Sequence, residues 1–164
     1  MPHRFIPSLF VASLVLWPGL VAAQEENPAD CIQEQREAGA PAADCVNRAQ
    51  ERCLQYPLGT EAGIACYLEA KDRWGSRITE RMETIRKTAP EEIAAIAGIE
   101  VKYDLKANLN QCDRMEELSL VRQDPDQGTV HVRARCEATA VGLAYVKLVL
   151  QSGGIEMQTP PAAE

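Results

Sequence analysis

The residues of this chain best equipped for chemistry are its six cysteines: Cys31, Cys45, Cys53, Cys66, Cys112 and Cys136. A thiolate can attack a carbonyl, ligate a metal or cycle in a redox pair, and two thiols can instead join as a structural disulfide. Spacing and neighbours decide among these. No Cys-x-x-Cys occurs, so a thioredoxin-like site has no motif. His131 is the only histidine beyond residue 23, which leaves zinc short of nitrogen ligands. A lone histidine reads as a core or surface residue. A Cys–His nucleophile pair needs one thiol left over, and the count is even. There is no Gly-rich phosphate loop and no Gly-x-Ser-x-Gly. Asp and Glu total 24, so a carboxylate dyad stays open, because spacing alone does not identify one. The expectation is a non-enzyme with no catalytic, metal or cofactor site, in which all six cysteines form structural disulfides.

The first 23 residues set the compartment. Arg4 is the only charged side chain before Glu25, Phe5 to Leu16 is almost wholly apolar, and Pro18-Gly19 interrupts any helix. Val21-Ala22-Ala23 supplies small residues at a cleavage site. This order describes a secretory signal peptide over 1–23, cut after Ala23. The apolar run is too short and Pro-interrupted for a comfortable span of roughly 20 residues. No later segment is long and apolar enough to cross a bilayer, and a periplasmic or secreted chain is expected. An even cysteine count in such a chain predicts disulfides.

Cleavage leaves a chain of one-domain size. The formal charge of −7 becomes −8, with 16 basic against 24 acidic residues. Such a surface repels phosphate backbones, which excludes nucleic acid as a partner. It suits a basic protein, where opposite charge speeds encounter. Of the eight aromatics, Phe5, Phe10 and Trp17 fall in the signal and five remain. Few large side chains are left to fill a core, so cross-links must help hold the fold.

The elements that position these cysteines read mainly as helix: a small disulfide-stapled helical bundle. Residues 24–43 form a loose N-terminal segment, with room for a short helix from Cys31 to Glu37. Asp44 caps a helix beginning at Cys45. Thr60 caps a long amphipathic helix running toward Lys87, with a stripe of Ile64, Leu68, Gly75, Ile78, Met82 and Ile85. Lys71 interrupts that stripe and Trp74 flanks it. Pro90, Glu91 and Glu92 open another helix that reaches Glu117. The alternation of Ile99, Val101, Tyr103 and Leu105 competes with it as a strand pattern.

Asp124-Pro125-Asp126-Gln127-Gly128 is a turn. Around it, residues 118–135 fit a short β-hairpin, supported by Val130, Val132 and Ala134; a loop entering a final helix is the competing reading. A buried helix then covers Cys136 to Leu150 through Ala140, Leu143, Val146 and Leu150. The helical domain spans 44–151, and the Pro-rich tail 152–164 is disordered. Six cysteines allow fifteen pairings. The preferred set is local: Cys53 with Cys66 across Pro57-Gly59, Cys112 with Cys136 across the 124–128 turn, and Cys31 with Cys45.

The run from Asp44 through Cys45-Val46-Asn47-Arg48-Ala49-Gln50-Glu51-Arg52 to Cys53, then Gly59 to Cys66, then Trp74 and Ile78, resembles the LprI-type lysozyme inhibitor family. That family carries a Cys, acid, Trp-Asp, Leu-Asn pattern on a long helix. Cys66, Glu69, Trp74 and Ile78 stand near those places, with Gly75 in place of the Asp and Thr79 in place of the Asn. Cys112, Gly128-Thr129 and Cys136 resemble the order of its second half. The family's aromatic and arginine before the first of those cysteines are absent, with Ala107, Asn108 and Gln111 there, and Leu143 stands where an arginine is expected. The resemblance implies a mainly helical periplasmic protein that binds a lysozyme-type muramidase and blocks its cleft. A basic lysozyme or another envelope protein is therefore the expected partner. The acidic candidates for such docking are Glu116, Glu117, Asp124 and Asp126. The alternative is a non-inhibitory structural or interaction module of the envelope. Titration of the denatured, unreduced protein with a thiol reagent is expected to find no free sulfhydryl; several would reopen metal and redox roles.

Overall fold

The computed structural model describes residues 27–153, all of which lie in helices and short connections. Residues 1–23, expected to be a signal peptide, and all but the first two residues of the expected 152–164 tail lie outside the described residues. The elements are α1 (Pro28–Glu37), α2 (Asp44–Gln50), a 3-10 turn (Glu51–Gln55), α3 (Glu61–Thr88), α4 (Glu91–Leu120) and α5 (Gln127–Ser152). The fold is a mainly α, disulfide-stapled bundle. Three bonds join Cys31 to Cys45, Cys53 to Cys66 and Cys112 to Cys136, with no free cysteine among the described residues. Such cross-links belong to an oxidising, non-cytosolic compartment. No helix among the described residues is long and apolar enough to cross a membrane.

Local chemistry sets most of the helix ends. Thr60 adopts extended backbone, and its hydroxyl accepts the Gly63 amide at 3.2 Å, capping α3. The N-cap of α5 is Asp126, whose carboxylate accepts the Thr129 amide at 2.8 Å. Thr129 Oγ1 in turn faces the Asp126 amide, closing a capping box. Before α2 the cap position is Ala43, not Asp44; Asp44 is the first helical residue and makes no capping bond. Its charge still favours that N-terminus through the helix dipole.

Two regions depart from expectation. From Pro28 onward, 24–43 is not loose: Asn27 caps α1, and Ile32 and Cys31 are buried against the core. The short hairpin over 118–135 does not form. Leu118 to Leu120 complete α4, and the strand-like Val130, Val132 and Ala134 lie in the first turns of α5. Val130 and Val132 are exposed and only Ala134 is buried, so the alternation reflects no sheet face.

α5 is the central element. α3 and α4 flank it and touch each other little, while α1 and α2 pack over the α3–α5 side. One core cluster gathers Ile32, Val46, Trp74, Ile78, Met82 and Ile85 against Val141, Tyr145 and Leu148. A smaller cluster sets Tyr67 and the Cys53–Cys66 pair against Ala134 and Ala138. The buried face of α3 runs through Gly63, Tyr67, Ala70, Trp74 and Ile78, whereas Leu68 is exposed. The expected stripe is therefore rotated over its first half, and Trp74 is central rather than flanking. On α5, Leu143 and Leu150 face outward while Ala140 and Val146 are buried.

Gly142 shows how tightly α5 is enclosed. A Cβ there would lie 2.7 Å from Val46 Cγ1 and 3.0 Å from Trp74 Nε1, whereas one on Gly75 would meet nothing within 4 Å. Both glycines are helix-interior, where alanine is normally better by roughly 1 kcal/mol. Gly75→Ala is expected to raise stability by about 0.5–1 kcal/mol. Gly142→Ala is expected to lower it by about 1–3 kcal/mol, because overpacking outweighs propensity. Denaturant midpoints of the two variants check the contrast.

Candidate functional site

The end of the molecule where α4 turns into α5 holds side chains that folding does not account for. Val121, the C-cap of α4, is 83% exposed, and Leu118 is 69% exposed. Leu58 lies at the same end, 68% exposed, on the loop that packs on the start of α5. Glu117, Asp124 and Asp126 are exposed around this apolar tip. Isolated exposed apolar side chains are normal; here Leu118 and Val121, three apart at the end of α4, are exposed together beside exposed carboxylates, which makes this end the candidate surface.

This tip stands on a fixed base. The Cys112–Cys136 bond ties α4 to α5 a few turns below it. Beside that bond Arg133 binds three carboxylates: Glu137 at 2.9 Å, Asp113 at 2.9 Å, and Glu116. Glu137 also accepts from Lys71 on α3 at 2.9 Å, so the network crosses all three long helices. Burial pushes the Glu137 carboxyl up, but the hydrogen bonds and charges of Lys71 and Arg133 outweigh it and hold it below its ordinary range. The same bonds raise Arg133, chiefly through Glu137. Carboxylates do converge here, yet Glu137 is kept ionised, the reverse of what a general acid requires.

The loop beneath the tip is locked by His131. The Gly59 amide donates to His131 Nδ1 at 3.3 Å, and the imidazole meets Tyr67 edge-on at 5.3 Å between centroids. Gly59 has φ +78°, the left-handed region that glycine tolerates, and a Cβ there would sit 3.2 Å from the Gly128 amide nitrogen. His131 is buried and serves as a structural acceptor. No group of His, Cys, Asp and Glu among the described residues is arranged to hold a metal ion.

The four acidic docking candidates separate in this geometry. Glu116 is spent on Arg133, and Asp126 on the α5 cap, which lowers its carboxyl chiefly through the Thr129 amide. Glu117 and Asp124 face water at the tip. Leu118, Val121 and Leu58 were not singled out from the sequence. Their helical or loop context hides their exposure, and only the turn at Asp124–Gly128 hinted at a protrusion. No family model, curated protein or solved structure matches the chain.

Because the Glu137 carboxyl lies below its ordinary 4.5 in the folded protein, its contribution is present above that pH and is lost as pH falls through the depressed value. The unfolding midpoint is expected to stay level from neutral pH to about pH 5 and drop below it. Glu137→Gln is expected to cost about 1 kcal/mol at pH 7, discounted for partial exposure, and to flatten the acid limb. Thermal melts of both proteins from pH 7 to pH 3 check this.

Proposed function

We propose that this chain is an exported binding protein, not a catalyst, and that it docks on a lysozyme-type muramidase through the α4–α5 tip and covers its cleft. The observation that carries this reading is the apolar tip of Leu118 and Val121, held out in water on a cross-linked base and attended by Glu117 and Asp124. Exposed apolar side chains can enter a cleft, and carboxylates beside them suit a basic rim. The acidic balance of the chain would steer encounter with a cationic enzyme. The resemblance of Asp44–Met82 to lysozyme inhibitors supports the choice of partner. The three disulfides support a periplasmic or secreted site of action.

A second reading rests on a separate surface. Ile96, Ile99 and Tyr103 project from α4 on the side opposite Val101, which packs toward the core. That stripe favours an envelope interaction module with no effect on lysozyme.

Oxidised protein comprising residues 24–164, in molar excess, is expected to slow lysis of cell-wall substrate by lysozyme, less so at 0.5 M salt, where screening lengths fall to roughly 4 Å. Val121→Lys with Asp124→Lys is expected to weaken inhibition at least tenfold with an unchanged melting midpoint. Undiminished lysis at excess protein rejects inhibition, and co-purification with an envelope protein in that case establishes the second reading.

A further inference from the structure

The outward face of α4 carries a repeat that the bundle does not use. Glu92, Ile96, Ile99, Tyr103 and Lys106 follow one another at steps of four, three, four and three residues. That spacing draws a seam along one side of a helix, the arrangement of a and d positions in a two-helix coiled coil. The inward face is made by other residues: Ala94, Ala97, Val101, Leu105 and Leu109 pack into the core. Every residue of the seam is exposed, and its three apolar members are more than half exposed: Ile96 56%, Ile99 54% and Tyr103 64%. Isoleucine and tyrosine are weaker helix formers than alanine, glutamate or lysine, so the stability of α4 alone gives no reason for them there. Three apolar side chains on one line of water-facing helix suit a covering surface.

The charges along the seam are sorted by sign. Glu91 and Glu92 stand at its N-terminal end, and Lys102 and Lys106 toward its C-terminal end, all four exposed. No side-chain hydrogen bond or ion pair among the described residues uses any of the four. The other two acids of this stretch, Glu100 and Asp104, are taken by Lys147 of α5 at 3.4 and 2.7 Å. An acidic end and a basic end are thus left, about 21 Å apart from Glu92 to Lys106, with the apolar segment between them. Such a seam is complementary to itself when turned end for end. An antiparallel pair brings the acidic end of each helix to the basic end of the other, and the apolar segments cover each other. A parallel pair sets Glu against Glu and Lys against Lys, which charge order opposes.

We infer that α4 is the interface of a homodimer: two copies of this chain pair antiparallel through Ile96, Ile99 and Tyr103, with Glu91 and Glu92 of each copy facing Lys102 and Lys106 of the other. The same patch serves on both sides, as two-fold symmetry requires. The apolar segment is two turns long, about 10 Å, and covers less than the roughly 1,200 Å² of a standard stable interface, so the dimer is weak and reversible. This gives the α4 face a different occupant from the envelope partner of the second reading, and it does not depend on lysozyme docking. Val121 lies about 27 Å farther along α4 than Tyr103, so the tip stays free, and the pair presents its two tips at opposite ends.

Sedimentation of the oxidised 24–164 protein in 0.15 M salt, from about 5 μM to about 1 mM, tests this. Half-dimerisation is expected at roughly 50–300 μM. Ile99→Lys is expected to weaken association at least tenfold, with an unchanged melting midpoint in dilute solution, because that side chain faces water in the single chain. Glu92→Lys and Lys106→Glu are each expected to weaken it about threefold or more, since each sets like charges across the pair. Mixed in equal amounts, those two variants are expected to associate at least as tightly as the unaltered chain, because each supplies the charge the other lacks. A protein that stays monomeric to about 1 mM overturns the proposal, and binding of an envelope protein to the seam in that case gives the face to the second reading. Dimers indifferent to Ile99→Lys, or charge variants that do not recover on mixing, also overturn it.

Discussion

The close approach of α3 to α5 is the constraint on which the rest of this structure depends. With five aromatics beyond residue 23, the chain cannot fill a wide gap between helices. It narrows the gap instead. Ala134, Ala138, Gly142 and Ala144 present almost no side chain on α5, so Tyr67, Trp74 and Val46 come down onto its backbone. Gly63 does the same on α3, where a Cβ would stand 2.6 Å from His131 Cε1. Dispersion is steep in distance, so small residues in close contact recover what bulk would otherwise supply.

The electrostatics fit the same logic. Arg133 and its three carboxylates, with Lys71, form a partly exposed network whose pairs are individually worth less than about 1 kcal/mol. Its role is orientation more than stability. It fixes the rotation of α4 and α3 about α5 just where the Cys112–Cys136 bond fixes their separation. The same base that orders the helices thereby orders the tip. At the opposite end, Arg81 donates to Ser152 Oγ at 2.9 Å, and that hydroxyl donates to the Leu148 carbonyl, tying the last turn of α5 to α3.

How much of this was legible in the sequence depended on whether the signal was local. Thr60, Pro90 and the polar face of α3 speak through neighbours one to four residues away, and the helices they imply are present. The alternation at Ile99–Leu105 did not disguise α4, because a helix one face of which packs on α5 needs only Val101 and Leu105 turned inward. The start of α5 was obscured by a similar alternation and by a cap of Asp with Thr three residues on, less familiar than Ser/Thr with Glu. The stripe on α3 was drawn through Leu68, whereas Tyr67 and Ala70 carry the buried face. What buries them is the small-residue face of α5, more than sixty residues away. The His131 acceptor bond and the projection of Val121 depend likewise on contacts distant in sequence, which no periodicity records.

The order of the cross-links has a consequence for biogenesis. The six cysteines pair consecutively along the chain, first with second, third with fourth and fifth with sixth, with separations of 14, 13 and 24 residues. In any chain made from its N-terminus, thiols emerge one after another. An oxidant that couples each newly arrived thiol to its immediate predecessor makes the native bonds by default. Proofreading by thiol–disulfide isomerisation becomes dispensable, and oxidation can keep pace with chain emergence rather than wait for the last cysteine.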